Sequence, residues 1–425
     1  FWLKLSRLRP ARRASMGAPA ATAAAALPHR RGANGGTEDR DEGATRRRPS
    51  AQSSGVAPPT PKAPIAPQAL GEPPQRRFSG FGFRLAARLW QHMLKLSRNG
   101  ILIQAIGLPL RHLLGLYGLI LCLRGAVGWR TYLLAALLWP VSGLGVTAGA
   151  HRLWTHQSYQ ATPLMEALLM IMFSVADQGS IQGWTLTHAM HHSASDTKWD
   201  PHNRQAGFWH AHFGWLYSVK RFRLSYVEYN RVMAGFGRVV YFHDFLFLAW
   251  DPLWSLCMPS VVASCWGEAA NGLFVAGALR WAFVQHVTFF VNSVAHGDRE
   301  VGDQFAFDSA TGGIGPRVSL LTTFLALGEG WHDYHHLFPW DYAAAELDAW
   351  DQWNPTKAFI DACGAVGLAH GLRRCSSRLQ EARRTQLAAP CREAISYAVR
   401  GPPFLRYRVP VVQAGCSEAS ETLEL

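Results

Sequence analysis

Eighteen histidines occur in the 425-residue chain, and 14 of them fall between positions 151 and 336. They cluster as HRLWTH at 151–156, HAMHH at 188–192 and HDYHH at 332–336. At this histidine frequency chance would supply roughly 0.03 copies of the His-x-x-His-His pattern, so two copies mark a built arrangement. Spacing i, i+3, i+4 places His188, His191 and His192 on one helical face, and does the same for His332, His335 and His336. Each box is therefore a one-sided plate of imidazoles. His151 and His156 are five apart, about 140° around a helix at ~100° per residue, which predicts that they lie where a helix leaves the membrane and bends. Asn292 and His296, four apart, form the fourth contribution, with Thr288 on the same face.

Nine imidazoles exceed the about four to six ligands that one transition-metal ion takes, so the set fits two ions. Imidazole suits iron, zinc, copper and nickel alike, and ligand type alone does not name the metal. A multi-histidine site at the mouth of an apolar bundle invites a greasy substrate, for which oxidation of C–H bonds by iron and oxygen is the fitting chemistry. A zinc-loaded membrane hydrolase, or a receptor-like protein with structural histidines, is the reading from another class. His202, His210, His212, His243, His286 and His370 stand outside the boxes and read as surface or supporting groups. The DPHN run at 200–203 reads as a turn starter with a positional role. Asn292 suits a helix cap as well as a metal site.

The elements that must position these groups are apolar helices. A run at 101–123 and another at 131–149, each near the ~20 residues that cross a bilayer, form a first hairpin. Arg111 interrupts the first run, and its side chain is expected at an interface or in a polar bundle interior. The apolar run at 164–175 is too short to span and reads as an interfacial or buried helix. It interrupts a polar, histidine-rich region that extends from His151 to about Asp244. Runs at 252–266 and 272–292 form a second hairpin. Two hairpins return the chain to one side, so the segments starting at His151 and His296 face the same compartment. The predicted fold is an all-α membrane protein with four transmembrane helices in two hairpins, under a helical cap that holds a dimetal centre.

Residues 1–98 carry 18 Lys+Arg against 5 Asp+Glu, whereas residues 99–425 carry 24 of each. The whole formal charge of +13 thus sits in a leader rich in Ala, Pro, Arg and Gly, which reads as disordered and not as a nucleic-acid-binding domain. The positive-inside tendency places the leader, and with it the cap, in the cytosol. The leader also has the look of an organelle transit peptide, against which Glu38, Asp39, Asp41 and Glu42 argue. The chain opens on Phe1, as a translated fragment would, and Met16 offers a start. Seven cysteines, odd in number and without a CxxC, read as reduced thiols in a cell-interior protein. Residues 99–375 are read as one catalytic domain and 376–425 as a weakly structured tail.

Over about residues 100–375 the chain resembles the membrane fatty acyl desaturases of the acyl-CoA (stearoyl-CoA, delta-9) type. The resemblance rests on GVTAGAHRLWTH (145–156), HHSASDTKWDPHN (191–203), NSVAH (292–296), GEGWHDYHHLFPWDY (328–342) and WNPTKAFIDAC (353–363). It implies an O2-dependent enzyme that places a cis double bond in a saturated fatty acyl chain. It further implies two iron ions held by His151, His156, His188, His191, His192, His296, His332, His335 and His336, with Asn292 joined through a water. Gln178, Trp184 and Thr288 would line the bend of a substrate tunnel. Two electrons would come from a separate donor, cytochrome b5 or ferredoxin, since no HPGG haem motif occurs. The expected location is the endoplasmic reticulum membrane with a cytosolic active site, a plastid being the alternative. Two departures stand out. Leu186 and Thr187 replace the Arg-Asp pair that helps acyl-CoA members hold the CoA head group, and the GDQ at 302–304 resembles acyl-lipid members. A glycerolipid-bound chain is therefore the alternative substrate, and a fatty acyl hydroxylase on the same centre the alternative reaction.

Overall fold

The structure, a computed structural model, describes residues 88–93, 103–218, 224–299, 313–387, 396–400 and 407–411. Of the basic leader only 88–93, which are helical, belong to the described residues; the link at 300–312 lies outside them. Among the described residues, four helices are long and apolar enough to cross a membrane: Ala105–Leu123, Trp129–Thr155, Arg238–Ser264 and Ala269–Ser293. They expose Leu110, Leu113, Leu116, Leu133 and Leu137. An aqueous face would not present such a surface, whereas lipid matches it. The protein is accordingly an integral membrane protein.

The bundle closes through small residues. A Cβ on Gly118 of the first span would lie 2.2 Å from the Phe274 carbonyl of the fourth, so only glycine permits that approach of backbones. Gly145 of the second span does the same for the helix Pro163–Ala176, whose Phe173 nitrogen would lie 2.2 Å from the added Cβ. That helix starts on Pro163 after a Thr162 cap. It buries Met165, Leu169 and Phe173 between the second and third spans.

The chain then turns by 83° into the helix Ile181–Ala194, which carries the second histidine box. Ser180 caps this helix by accepting from the Gly183 nitrogen at 3.0 Å. His243 of the third span supports the same end, its Nδ1 accepting from the Ile181 nitrogen at 3.4 Å.

The third span begins at Arg238, 14 residues before the position expected from hydropathy. Its first half holds His243, Asp244 and Asp251, which read as polar chain in the sequence. In the bundle all three are buried, and His243 Nε2 pairs with Asp251 Oδ1 at 2.9 Å. Partners inside the bundle let charged residues lie within a span.

The second and fourth spans end on one side, where described residues that follow them form the cap. The strand His296–Arg299 pairs antiparallel with Gly313–Pro316, His296 opposite Pro316, and so anchors that histidine just beyond the fourth span. The third box lies on the short helix His332–Leu337. Tyr334 in that helix donates to Asp341 at 2.7 Å and accepts from Gln380 at 3.0 Å. Gln380 belongs to the helix Ser377–Leu387.

The Gly145 contact gives a stability test. Gly145→Val places carbon against backbone that cannot swing away, so it should destabilise the detergent-solubilised protein by about 1–3 kcal/mol or more. Thermal unfolding followed by size-exclusion recovery would report the loss, and an unchanged midpoint would refute the tight approach.

Candidate metal centre

The second span winds as a π-helix over Gly145–Thr155. Bonding i→i+5 sets residues five apart nearly one above the other, and the His156 nitrogen donates to the His151 carbonyl at 3.1 Å. The separation of ~140° holds for an α-helix; the π winding removes it. The two rings stand 4.9 Å apart on one face.

The nine boxed imidazoles converge on two points. His151, His156, His188, His192 and His335 form one group, and His191, His296, His332 and His336 the other, the ligand-capable atoms of each lying within 4.8 Å of one another. The plates are thus shared between the groups. In the second box the i, i+4 pair serves the five-histidine group and the i+3 ring the four-histidine group; in the third box the assignment reverses.

Facing Nε2 atoms lie between 2.9 and 3.3 Å apart: His151 with His335, His335 with His192, His188 with His156, His191 with His296 and His336, and His332 with His296 and His336. Two nitrogens each about 2.1 Å from one ion, at right angles, stand about 3 Å apart. The hydrogen-bond partners on the other ring nitrogens argue the same way. His191 Nδ1 meets Asp200 Oδ2 at 2.9 Å, His296 Nδ1 meets Asp196 Oδ2 at 2.7 Å, and His151 Nδ1 meets Glu329 Oε2 at 2.8 Å. A carboxylate accepts, so these Nδ1 atoms carry the proton and each Nε2 of the neutral ring presents a lone pair. The Nε2 atoms of His191 and His296 are then two lone pairs 3.1 Å apart, a repulsive contact that a cation turns into ligation. The donor set fits two transition-metal ions.

Burial first, and then the neighbouring imidazoles, push His156, His332, His335 and His336 well below the ordinary histidine range. They are therefore neutral and free to ligate at pH 7. Burial raises Glu329, but Arg152 and His151 together outweigh it and hold the carboxyl at about 2. Arg152 donates to Glu329 from Nε at 3.2 Å and from Nη2 at 2.8 Å. Burial likewise raises Asp196, but its bond to His296 leads the contacts that bring it below its ordinary value. Asp200 moves the other way, pushed by burial up to about 7. A divalent cation on the far side of the His191 ring would favour its ionised form.

Sequence reasoning missed all three carboxylates. Their signal was proximity: Asp196 and Asp200 follow the second box, and Glu329 precedes the third by three residues. The DPHN turn is positional in a specific sense, because Asp200 also accepts from the Asp196 and His202 nitrogens. Among the histidines outside the boxes, His202 packs on His191 with ring centroids 4.3 Å apart. His212 pairs with Ser293 and His286, away from both groups.

A narrow cavity runs from His151, His188 and His332 to Trp139, between apolar walls that include Val146, Val284 and Val287. Trp184, Thr288 and Asn292 line it. Gln178 stands behind that wall and ties it together, donating to Thr288 Oγ1 at 2.7 Å and accepting from Trp184 Nε1 at 3.0 Å.

The sequence model of the family described as fatty acid desaturase matches residues 126–353. The chain is 39% identical over 287 residues to the acyl-CoA Delta(11) desaturase of Trichoplusia ni, covering 64% of this chain and 77% of that protein. It is 38% identical over 266 residues to the acyl-CoA Delta-9 desaturase of Acheta domesticus, covering 62% and 72%. Its identity to stearoyl-CoA desaturase 5 of Bos taurus is 37% over 287 residues, covering 66% and 81%.

The carboxylate contacts can be tested without turnover. Asp200→Asn leaves the shape of the site but removes the charge behind His191 Nδ1 and one of the two oxygens that accept there, and should weaken metal retention by about 10–100-fold. Metal content after dialysis against graded chelator would measure this; wild-type retention would remove Asp200 from the centre.

Proposed function

Because the chain belongs to the fatty acid desaturase family, we propose that it is an O2-dependent di-iron desaturase. It would introduce a cis double bond, at the delta-9 position, into a saturated fatty acyl chain carried on CoA. The observation that carries this reading is the meeting of nine imidazoles, in two groups, at the end of a narrow apolar cavity. The iron pair supplies the oxidising chemistry: with O2, two electrons and two protons, two C–H hydrogens leave the chain and two waters form.

The protein's own part is placement and exclusion of water. Val146, Val284 and Val287 accept methylenes and offer water no partner. Trp184 and Thr288, held by Gln178, shape the bend that presents one stretch of chain to the metals. Asp196, Asp200 and Glu329 keep the Nδ1 protons in place, so the Nε2 atoms of His296, His191 and His151 stay directed inward. The four-histidine group leaves room for a further ligand, and Asn292 at the cavity wall would serve it through a water. The electron donor would be a separate protein, cytochrome b5 or ferredoxin. The site would face the cytosol from the endoplasmic reticulum membrane.

A second reading, a glycerolipid-bound acyl substrate, is favoured by one observation. Leu186 is buried and the Thr187 hydroxyl is spent on the Gly183 carbonyl at 2.8 Å, so neither offers a charge to a CoA head group.

The test is expression in a desaturase-deficient host supplied with a donor protein. New monounsaturated fatty acids should appear, and His191→Ala should return them to the host background. Purified protein should hold two irons. Zinc in their place, with no alkene formed, would overturn the reading, and hydroxy acids would make it a hydroxylase. A pulse of labelled stearate, followed in time, shows whether the label is first unsaturated on CoA or on lipid.

A further inference from the structure

Polar groups buried in the stem away from the histidines converge on Asp177, at the sharp turn between Pro163–Ala176 and Ile181–Ala194. Its backbone is left-handed, with φ 47° and ψ 57°, a conformation a non-glycine residue holds only where its surroundings over-determine it. Here they do. Its Oδ2 accepts from Arg111 of the first span, Nε at 2.8 Å and Nη2 at 2.7 Å, and from Ser255 Oγ of the third span at 2.9 Å. Its carbonyl accepts from Trp281 Nε1 and Gln285 Nε2 of the fourth span, each at 3.1 Å. Arg280 closes the knot, donating to the Val175 carbonyl at 2.7 Å and the Ser255 carbonyl at 2.9 Å. One residue thus fastens a turn to three spans. The next residue is Gln178, which joins Trp184 to Thr288 at the cavity wall.

We propose that the Arg111–Asp177 ion pair is a positioning device for the cavity's bend, and that through Gln178 it determines which carbon pair of a bound acyl chain lies beside the histidines. The inference rests on the desaturase reading above. Its physical basis is leverage. The first and third spans hold the Asp177 side chain, so without the pair the turn keeps only the bonds of its carbonyls to Arg280, Trp281 and Gln285 of the fourth span, whose long side chains can follow a small shift. A shift of one helical rise, ~1.5 Å, is on the order of the spacing between neighbouring chain carbons. Misplacement on that scale is enough to change which bond reacts. An ion pair within the apolar stem is a costly feature to keep for packing alone.

The experiment uses the full chain in membranes with its donor. Asp177→Asn removes the charge at nearly constant shape. The paired variant Arg111→Met with Asp177→Gly removes both charges, leaves no unpaired ion, suits the left-handed backbone and retains the carbonyl. Three quantities are read: iron content, double-bond position by mass spectrometry, and the residues cross-linked by a saturated fatty acid bearing a mid-chain diazirine. The expected result is iron content near wild type, a several-fold rise in isomers at neighbouring positions, and a cross-link displaced along the fourth span. If Asp177→Asn loses iron, the paired variant decides. Iron-loaded variants with the wild-type isomer pattern and cross-link would overturn the proposal. Displaced cross-links in a protein whose wild type forms no alkene would uphold the positioning role and overturn the desaturase reading instead.

Discussion

Neutral imidazoles crowded nitrogen to nitrogen in a dry pocket repel one another, and this protein gathers nine of them at two points. The contacts of about 3 Å between Nε2 atoms are tolerable because a cation at each point would satisfy several lone pairs together. Burial keeps the rings of His156, His332, His335 and His336 unprotonated, and carboxylates stand behind the outer nitrogens of His151, His191 and His296. Charge balance between those buried acids and the cations that the two groups would hold is the constraint around which the cap is built.

The apolar stem answers a different requirement. It has to carry a greasy chain up to the histidines while holding its own shape without water. Close helix approach at Gly118 and Gly145 draws the spans together, and internal polar ties hold their relative positions. Arg152 shows how the two regions are joined. It leaves the second span beside His151, binds Glu329, and reaches the Tyr342 carbonyl at 2.9 Å. One guanidinium thereby fixes the histidine-bearing end of the second span against the segment that leads into the third box. The His243–Asp251 pair does comparable work under the second box.

Much of this was legible from residue order because some spacings have only one local consequence. Histidines at i, i+3 and i+4 share a helical face whatever surrounds them, and long apolar runs have few places to go but lipid. The reading failed where local rules are overridden by tertiary partners. Hydropathy excluded the first half of the third span, because His243 and Asp251 count as polar until each is seen to satisfy the other. The α-helical period separated His151 from His156, because nothing in GVTAGAHRLWT announces a π-helix. Gln178 was expected at the cavity wall and stands one layer behind it, since residue order does not distinguish a lining group from the one that braces it.

The sequence by itself determined that six of the nine histidines would share two helix faces and that the other three would lie at the ends of membrane spans, and that their number suited two ions. Those outcomes follow from periodicity and transfer free energy, which act on a segment alone. Only the tertiary structure decided that each box is divided between the two groups, and that acids on separate loops stand behind three of the rings. Only it showed that Asp177 binds three spans at once. These are relations among side chains brought together from distant parts of the chain, and their geometry exists only when the whole bundle has closed.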